Sequence, residues 1–369
     1  MANAEDKFSD IRPYNDDEIQ PAIQRVINSD EFMDAIISFR FSKIAKFAGF
    51  LLKPLLRRYF LYKWGNINSI DDMQQVVGGY MEHMIASTTT KFTYSGLENL
   101  DPTQNYLFVS NHRDIAMDPA FVNWALFSEN FKTVRIAIGD NLLSKPFVSD
   151  LMRMNKSFIV KRSVSGVREM MKALSHLSDY IFTSLQKESS IWIAQKEGRA
   201  KDGFDKTEPA IVKMFYVNGK KKKIAFPDYI RQLNIVPVAV SYEFDPCDKQ
   251  KAQELYDKAE FGEYKKSKYE DIESIVSGII GQKGHVHVAF GKALADEFDD
   301  AEAVASEIDK QIYQNYHLHP SNLIAAEHCS ESITNEHKEV FAQRLQMIKP
   351  ELQETVLKMY SNPVNNHIS

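Results

Sequence analysis

Cysteine is scarce in this chain of 369 residues. Cys247 and Cys329 are the only two, too few for a disulfide framework and without the paired spacing of a zinc module. A reducing, cytosolic setting is the expectation. Long apolar runs are missing as well. No stretch reaches the roughly 18 uncharged apolar residues that a membrane-spanning helix needs, and the polar, acidic start Met1 to Lys7 is unlike a secretory signal. Positive charge is not in excess. Lys and Arg number 45 against 50 Asp and Glu, for a formal charge of −5, which argues against a generic nucleic-acid binder. No Gly-x-Ser-x-Gly elbow is present, so an α/β-hydrolase nucleophile is excluded.

What is present suits a large globular chain. The apolar share is 44 % and the charged share 26 %, enough for one sizeable domain with appendages. Residues 1–30 are polar and read as an arm with a short helix, Pro13 and Pro21 acting as breakers. Residues 32–64 combine many aromatic and aliphatic side chains with Arg40, Lys43, Lys46, Lys53, Arg57, Arg58 and Lys63, and with no acid after Asp34. On a helical period Ile37, Phe41, Ile44, Phe47 or Ala48, and Leu51 share a face, with Pro54 expected to divide the segment into two helices. Such a segment is an ordinary surface helix pair or an interfacial anchor whose cations, Lys43, Lys46, Lys53 and Arg57, reach anionic headgroups. Its one-signed charge and aromatic density favour the anchor.

From residue 92 strands alternate with helices. Strands are expected at 106–110, 133–138, 157–161, 190–194, 234–242 and 284–290, with helices at 119–127, 146–154 and 164–186 between them. This order argues an α/β fold with a largely parallel sheet flanked by helices. The division expected is a 1–91 arm with amphipathic surface helices, an α/β domain over 92–300 with a helical insertion at 245–283, and a helical C-terminal extension over 301–369. Lys220 to Lys223 reads as a solvated loop.

Polar clusters follow the strands, where open α/β sheets place their chemistry. His112 comes just after one strand, with Asp114 and Asp118 within reach to orient it. Histidine is the side chain suited to taking and returning a proton near neutrality, and a carboxylate fixes its tautomer. Taken alone, such a cluster is more often an ordinary polar loop. Lys161 and Arg162 end a second strand and offer a phosphate clamp or a solvated strand end. Glu197-Gly198-Arg199 ends a third, where a glycine lets the backbone approach a ligand. A fourth, Ile235 to Val240, carries Pro237 and reads only as core. His112-Arg113-Asp114 also looks like a kinase triplet, but Pro119 stands where that family has Asn, and neither the Gly-rich loop nor Asp-Phe-Gly is there. His285 and His287 alternate on a strand and could touch one metal ion, but the sequence shows no third ligand, and a hydrogen-bonded core or edge pair is the expectation.

In order, the four clusters resemble the glycerolipid acyltransferases of the lysophosphatidic acid acyltransferase type, over roughly residues 92–292. That family has Asn-His-x4-Asp, then a strand ending in Arg, then Glu-Gly-Thr-Arg, then an apolar block with Pro. Here the blocks are Asn111-His112 with Asp118, Phe158 to Arg162, Glu197-Gly198-Arg199, and Val236-Pro237. Two departures stand out. Met117 occupies the family's Asp position, Asp118 lying one residue on, and no Thr separates Gly198 from Arg199. The resemblance implies that His112 deprotonates an acceptor hydroxyl, oriented by Asp118, with Asp114 the second candidate. It implies that Arg162, Lys161, Glu197, Gly198, Arg199 and Asn111 serve the substrate side, Arg162, Glu197 and Arg199 holding a phosphate. No metal or cofactor is implied. The donor would be acyl-CoA or acyl-carrier protein, and the acceptor a lysophospholipid, with 1-acylglycerol-3-phosphate the first choice, at the cytoplasmic face of an anionic membrane. The competing expectations are transfer to another lipid or an amine, and a non-catalytic peripheral lipid-binding protein that keeps the fold.

Overall fold

The computed structural model describes residues 6–40, 45–143, 145–187, 189–267 and 270–368. In chain order the elements are α1 (Asp16–Asn28), α2 (Asp30–Arg40), α3 (Ala45–Trp64), α4 (Ile70–Thr88), β1 (Thr89–Ser95), β2 (Leu107–Ser110), α5 (Met117–Ser128) and β3 (Arg135–Gly139). They continue with α6 (Pro146–Met154), β4 (Ser157–Val160), α7 (Val167–Lys187), β5 (Ile191–Ala194), α8 (Pro209–Lys221), α9 (Phe226–Gln232), β6 (Ile235–Tyr242) and α10 (Asp248–Phe261). The last are α11 (Glu270–Ile280), β7 (Gly284–Phe290), α12 (Ala301–Asn315), α13 (Pro320–Ala325), α14 (Asn335–Gln346) and α15 (Pro350–Ile368). The fold is α/β, and the chain divides into two units: residues 1–80 with 135–173, and residues 81–134 with 174–369.

In the first unit, β3 and β4 pair in parallel, Ile136 opposite Ser157 and Gly139 opposite Val160. The segment before α2 is no loose arm. Ile19, Ile23, Val26 and Ile27 of α1 are buried against Phe32, Met33, Phe60, Trp64 and Met154. Arg25 clamps Asp150 of α6 through two nitrogens, at 2.7 and 3.0 Å, and Tyr14 donates to the same carboxylate. Pro21 and Pro54 lie inside α1 and α3 and break neither helix. Both are on the exposed side, where a carbonyl that loses its helical partner can bond water.

Helix α3 is apolar on two faces. Leu56, Phe60 and Trp64 recur every fourth residue on the packed side, with Phe60 and Trp64 rings 4.7 Å apart. Leu51, Leu55, Tyr59 and Tyr62 recur on the other side and are exposed, Tyr62 at 80 % and neighbouring Phe50 at 73 %. Lys53 and Arg57 do not point outward as the sequence suggested: they pair with Asp34 and Asp30 of α2, so the acids just before the basic run neutralise part of it. Arg58 and Lys63 remain exposed. Ile37 is buried while Leu51 is exposed, so the expected common face is not formed. Phe41 and Ile44 lie outside the described residues, as does the side chain of Phe47.

The second unit holds the strand order β1-β7-β6-β2-β5. β2 runs parallel to both β5 and β6, so Ser110, Ala194 and Val238 lie side by side where the strands approach their carboxyl ends. β7 is antiparallel to β6 and parallel to β1. All eight residues of β6 are buried, as an apolar run covered on both faces requires. Pro237 is its third residue. β1, absent from the sequence expectation, alternates polar and apolar residues and has a register irregularity near Thr89. Lys220 and Lys221 close α8 instead of forming a loop, where cations suit the carboxyl end of a helix. α12 buries Val304, Ile308 and Ile312.

Replacing Phe60 by Ala should cost about 3 kcal/mol or more of the first unit's stability in urea titrations, as an emptied aromatic site does. Phe50→Ala should leave stability within about 0.5 kcal/mol.

Candidate active site

His112 stands two residues beyond β2, and its ring is held from two sides. Nδ1 lies 2.8 Å from Asp118 Oδ2, and the edge of the ring meets Trp192 of β5 at 5.6 Å between centroids. A carboxylate only accepts, so this contact places the proton on Nδ1 and leaves Nε2 with its lone pair. The side chain is 14 % exposed.

Asp118 is fully buried at the start of α5. Its Oδ2 also accepts the backbone N–H groups of Arg113 (2.5 Å) and Asp114 (2.9 Å). Its Oδ1 accepts the Tyr242 hydroxyl at 2.6 Å. Burial and the nearby Asp118 push the Tyr242 hydroxyl well above its usual range, so it stays a donor. The choice left open by the sequence therefore falls to Asp118, and the extra residue between His and Asp is absorbed in the turn at 113–116. Asp114 does other work. Its Oδ1 accepts from Ala116 and Met117 N–H, fastening the entry to α5. Burial first, then the charge of Asp118, raises its pKa to about 6. Its other oxygen presses on Gly278 of α11, where an added Cβ would sit 2.1 Å from it, so no side chain fits there.

Asn111, expected on the substrate side, is instead fully buried and spent on the scaffold. Its Oδ1 accepts Val240 N–H at 2.7 Å and its amide donates to Val240 carbonyl at 3.0 Å, so it extends the β2–β6 pairing by one side chain. The amide also reaches Asp205, which forms a buried ion pair with Arg113. The Arg113 guanidinium lies 5.4 Å from the centre of the Tyr316 ring.

The Glu197-Gly198-Arg199 loop follows β5, beside β2. Gln195 N–H donates to Ser110 carbonyl (2.8 Å) and Ala200 N–H to His112 carbonyl (2.7 Å), so the two loops are stitched together around the imidazole. Gly198 has φ 78°, a conformation that costs a residue with a Cβ. Arg199 makes a long 3.4 Å contact with Ser274 of α11, and its Nη1 is buried without a partner among the described residues. A buried guanidinium donor left unmatched is costly, and an anionic oxygen would satisfy it. Glu197 is exposed. Lys161 and Arg162 belong to the first unit. Lys161 pairs there with Asp10 at 2.5 Å, and Arg162 packs near Gly139.

Sequence reasoning passed over the residues that fasten this arrangement. Tyr242 ends a strand that read only as core. Asp205 and Arg113 are a buried pair. Lys251 of α10, itself buried, donates to Arg113 carbonyl at 2.6 Å and pairs with Asp245. The helices at 245–283 thus form part of the site's wall. So does α15: Asn362 donates to Asp202 carbonyl at 2.7 Å and Asn366 to Phe204 carbonyl at 3.0 Å, holding the loop after Arg199.

The family model "Acyltransferase" matches residues 91–241. No curated protein matches the chain. Among solved structures, the 1-acyl-sn-glycerophosphate (LPA) acyltransferase PlsC from Thermotoga maritima is similar at 12 % identity, with a TM-score of 0.41, over 79 % of this chain and 92 % of that one.

The two acids should separate on substitution. Asp118→Asn should lower acyl transfer by about 10²-fold or more, since the imidazole loses its anionic support. Asp114→Asn should stay within about tenfold of the wild type. Because Asp114 has a folded pKa raised to about 6 from 3.8, its contribution to stability is full below pH 3.8 and lost as the pH rises through 6. Asp114→Asn should therefore raise Tm by a few degrees at pH 8 and much less at pH 4. Equal activity losses in the two variants would contradict the assignment.

Proposed function

We propose that this chain, which matches the acyltransferase family model over residues 91–241, moves an acyl group from a thioester to the hydroxyl of a lysophospholipid, 1-acylglycerol-3-phosphate being the favoured acceptor. The observation that carries the reading is the juxtaposition on two stitched loops of an oriented His112 and a buried, unmatched Arg199 donor. His112 Nε2 takes the proton of the acceptor hydroxyl as the oxygen attacks the thioester carbonyl. Collapse of the tetrahedral adduct breaks the carbon–sulfur bond, and the imidazolium returns its proton to the departing thiolate. Asp118 supports the imidazolium, and Tyr242 holds Asp118 in place. No acyl-enzyme is needed. Arg199 takes a phosphate oxygen of the acceptor. In this reading the donor is acyl-CoA or acyl-carrier protein.

The site of action in this reading is an anionic membrane surface on the cytoplasmic side. Among the described residues no helix is long and apolar enough to cross a membrane. Support for surface binding comes from α3, whose outer face offers Leu51, Leu55 and Tyr62 beside exposed Arg58 and Lys63. Apolar side chains at the acyl boundary with cations at headgroup level are the two components of interfacial binding.

Labelled acyl-CoA incubated with a panel of lysophospholipids should yield an acylated product, richest with a phosphate-monoester acceptor. His112→Ala should lower the rate by about 10²- to 10⁴-fold. Arg199→Ala should raise KM for the phosphate acceptor by about tenfold. An Arg199→Ala protein with unchanged kinetics would point to an acceptor without a phosphate. Separately, Leu55→Glu/Tyr62→Glu should weaken flotation with anionic vesicles by about tenfold or more, given the apolar area each side chain would bury. Unchanged flotation would remove α3 from the membrane.

A further inference from the structure

The opposite face of the same sheet carries a second cluster. Adjacent strand residues point to opposite faces, so Ser241 faces away from the Tyr242 side chain that serves Asp118. On the Ser241 side the sheet offers Thr93 and Ser95 of β1 and His285 and His287 of β7. Thr93 Oγ1 lies 2.6 Å from His285 Nε2 and 2.7 Å from His287 Nδ1, and Ser95 Oγ lies 3.1 Å from His287 Nε2. Two further histidines arrive from the turn between α12 and α13. His319 Nε2 is 3.3 Å from Ser241 Oγ, and the ring centroids of His317 and His319 are 4.7 Å apart. Both also lie close to His285, at 4.9 and 5.0 Å.

One ring nitrogen from each of His285, His317 and His319 can be chosen so that all three lie within 4.8 Å of one another. His319 is completely buried, and its Nδ1 has no hydrogen-bond partner among the described residues. An isolated buried nitrogen of this kind is costly. Nothing in the acyl-transfer reading uses it. The rings gather no carboxylate, so they are not held together as charged pairs.

We propose that His285, His317 and His319 bind a divalent transition-metal ion of the zinc class. Imidazole nitrogens are its natural ligands, and three of them with one position left for water complete a tetrahedral shell. Closing the three nitrogens onto an ion about 2.05 Å from each requires separations of about 3.3 Å, so the rings close by up to about 1.5 Å on binding. Thr93 and Ser241 hydroxyls hold one nitrogen of His285 and of His319, the outer-shell support that metal-bound histidines usually have. His287, held through both nitrogens by Thr93 and Ser95, backs the site. The ion is structural: it fastens the α12–α13 turn to β6 and β7 across the sheet from His112, and the acyl-transfer steps do not run through it.

The test is titration of untagged, metal-free full-length protein with Zn²⁺, followed by calorimetry, and with Co²⁺, followed by visible absorption. One equivalent of Zn²⁺ should bind, raise Tm, and give with Co²⁺ the intense bands of a low-coordinate site. His317→Ala, at an exposed position, should stay folded by circular dichroism, weaken Zn²⁺ binding at least tenfold and lose the Co²⁺ bands. His285→Asn should do the same, and His328→Ala, outside the cluster, should change nothing. Acyl transfer by His317→Ala should match the wild type. Absence of stoichiometric binding by the wild type, or undiminished binding by both His317→Ala and His285→Asn, would overturn the site.

Discussion

The second unit is organised around one buried carboxylate. Asp118 gathers the imidazole of His112, two backbone N–H groups of the turn that follows it, and the hydroxyl of Tyr242. An anion removed from water is tolerated only when its lone pairs are matched. Here the matching partners come from β2, from α5's own entry turn and from the far end of β6. The same four contacts that make the charge affordable also bring those elements to one point. The orientation of His112 and local folding are thus a single constraint: the turn at 113–116 cannot relax without uncovering the carboxylate.

The surrounding polar groups extend this logic outward. Asn111 continues the β2–β6 ladder with side-chain atoms, which fixes where the chain leaves the sheet just before His112. Arg113 then turns inward to Asp205, and Lys251 caps the Arg113 carbonyl. These contacts tie the His112 turn to the loop that follows Arg199 and to α10. Arg199 itself reaches α11 through Ser274, and Asp114 leans on Gly278 of the same helix. The segments at 245–283 and 350–368 consequently hold the active-site loops, and neither behaves as an accessory to them.

The sequence made the strands of this sheet legible because buried parallel strands are short, unbroken apolar runs. β6 and β7 begin and end within a residue of their expected positions. It also placed His112, Asp118 and Arg199 after the right strands. It was silent where meaning depends on contact across the chain. Asp114 and Asp118 are indistinguishable by spacing, and only the fold shows which one meets Nδ1. Tyr242 looks like the end of a core strand until its hydroxyl is seen to reach a residue 124 positions away. Proline misled in α1 and α3, since a ring on the solvent side of a helix costs little of its packing. The basic run of 32–64 misled for a related reason. Charge counted along the chain ignored Asp30 and Asp34, which the α2–α3 pairing brings back onto Lys53 and Arg57.

The alternation of β6 resolves how one strand can serve two chemistries. Tyr242 points to the face where α5 packs, with its ring 5.8 Å from that of Phe121, and completes the Asp118 cluster. Ser241 points to the other face, towards His319. A donor network around an anion and a cluster of imidazoles would perturb each other if they shared a cavity, because an ion bound among the imidazoles would compete for the carboxylate. One residue of register on a buried strand keeps them apart. The same pleat makes the two sites mechanically continuous, since anything that anchors Ser241 also restrains the backbone that presents Tyr242.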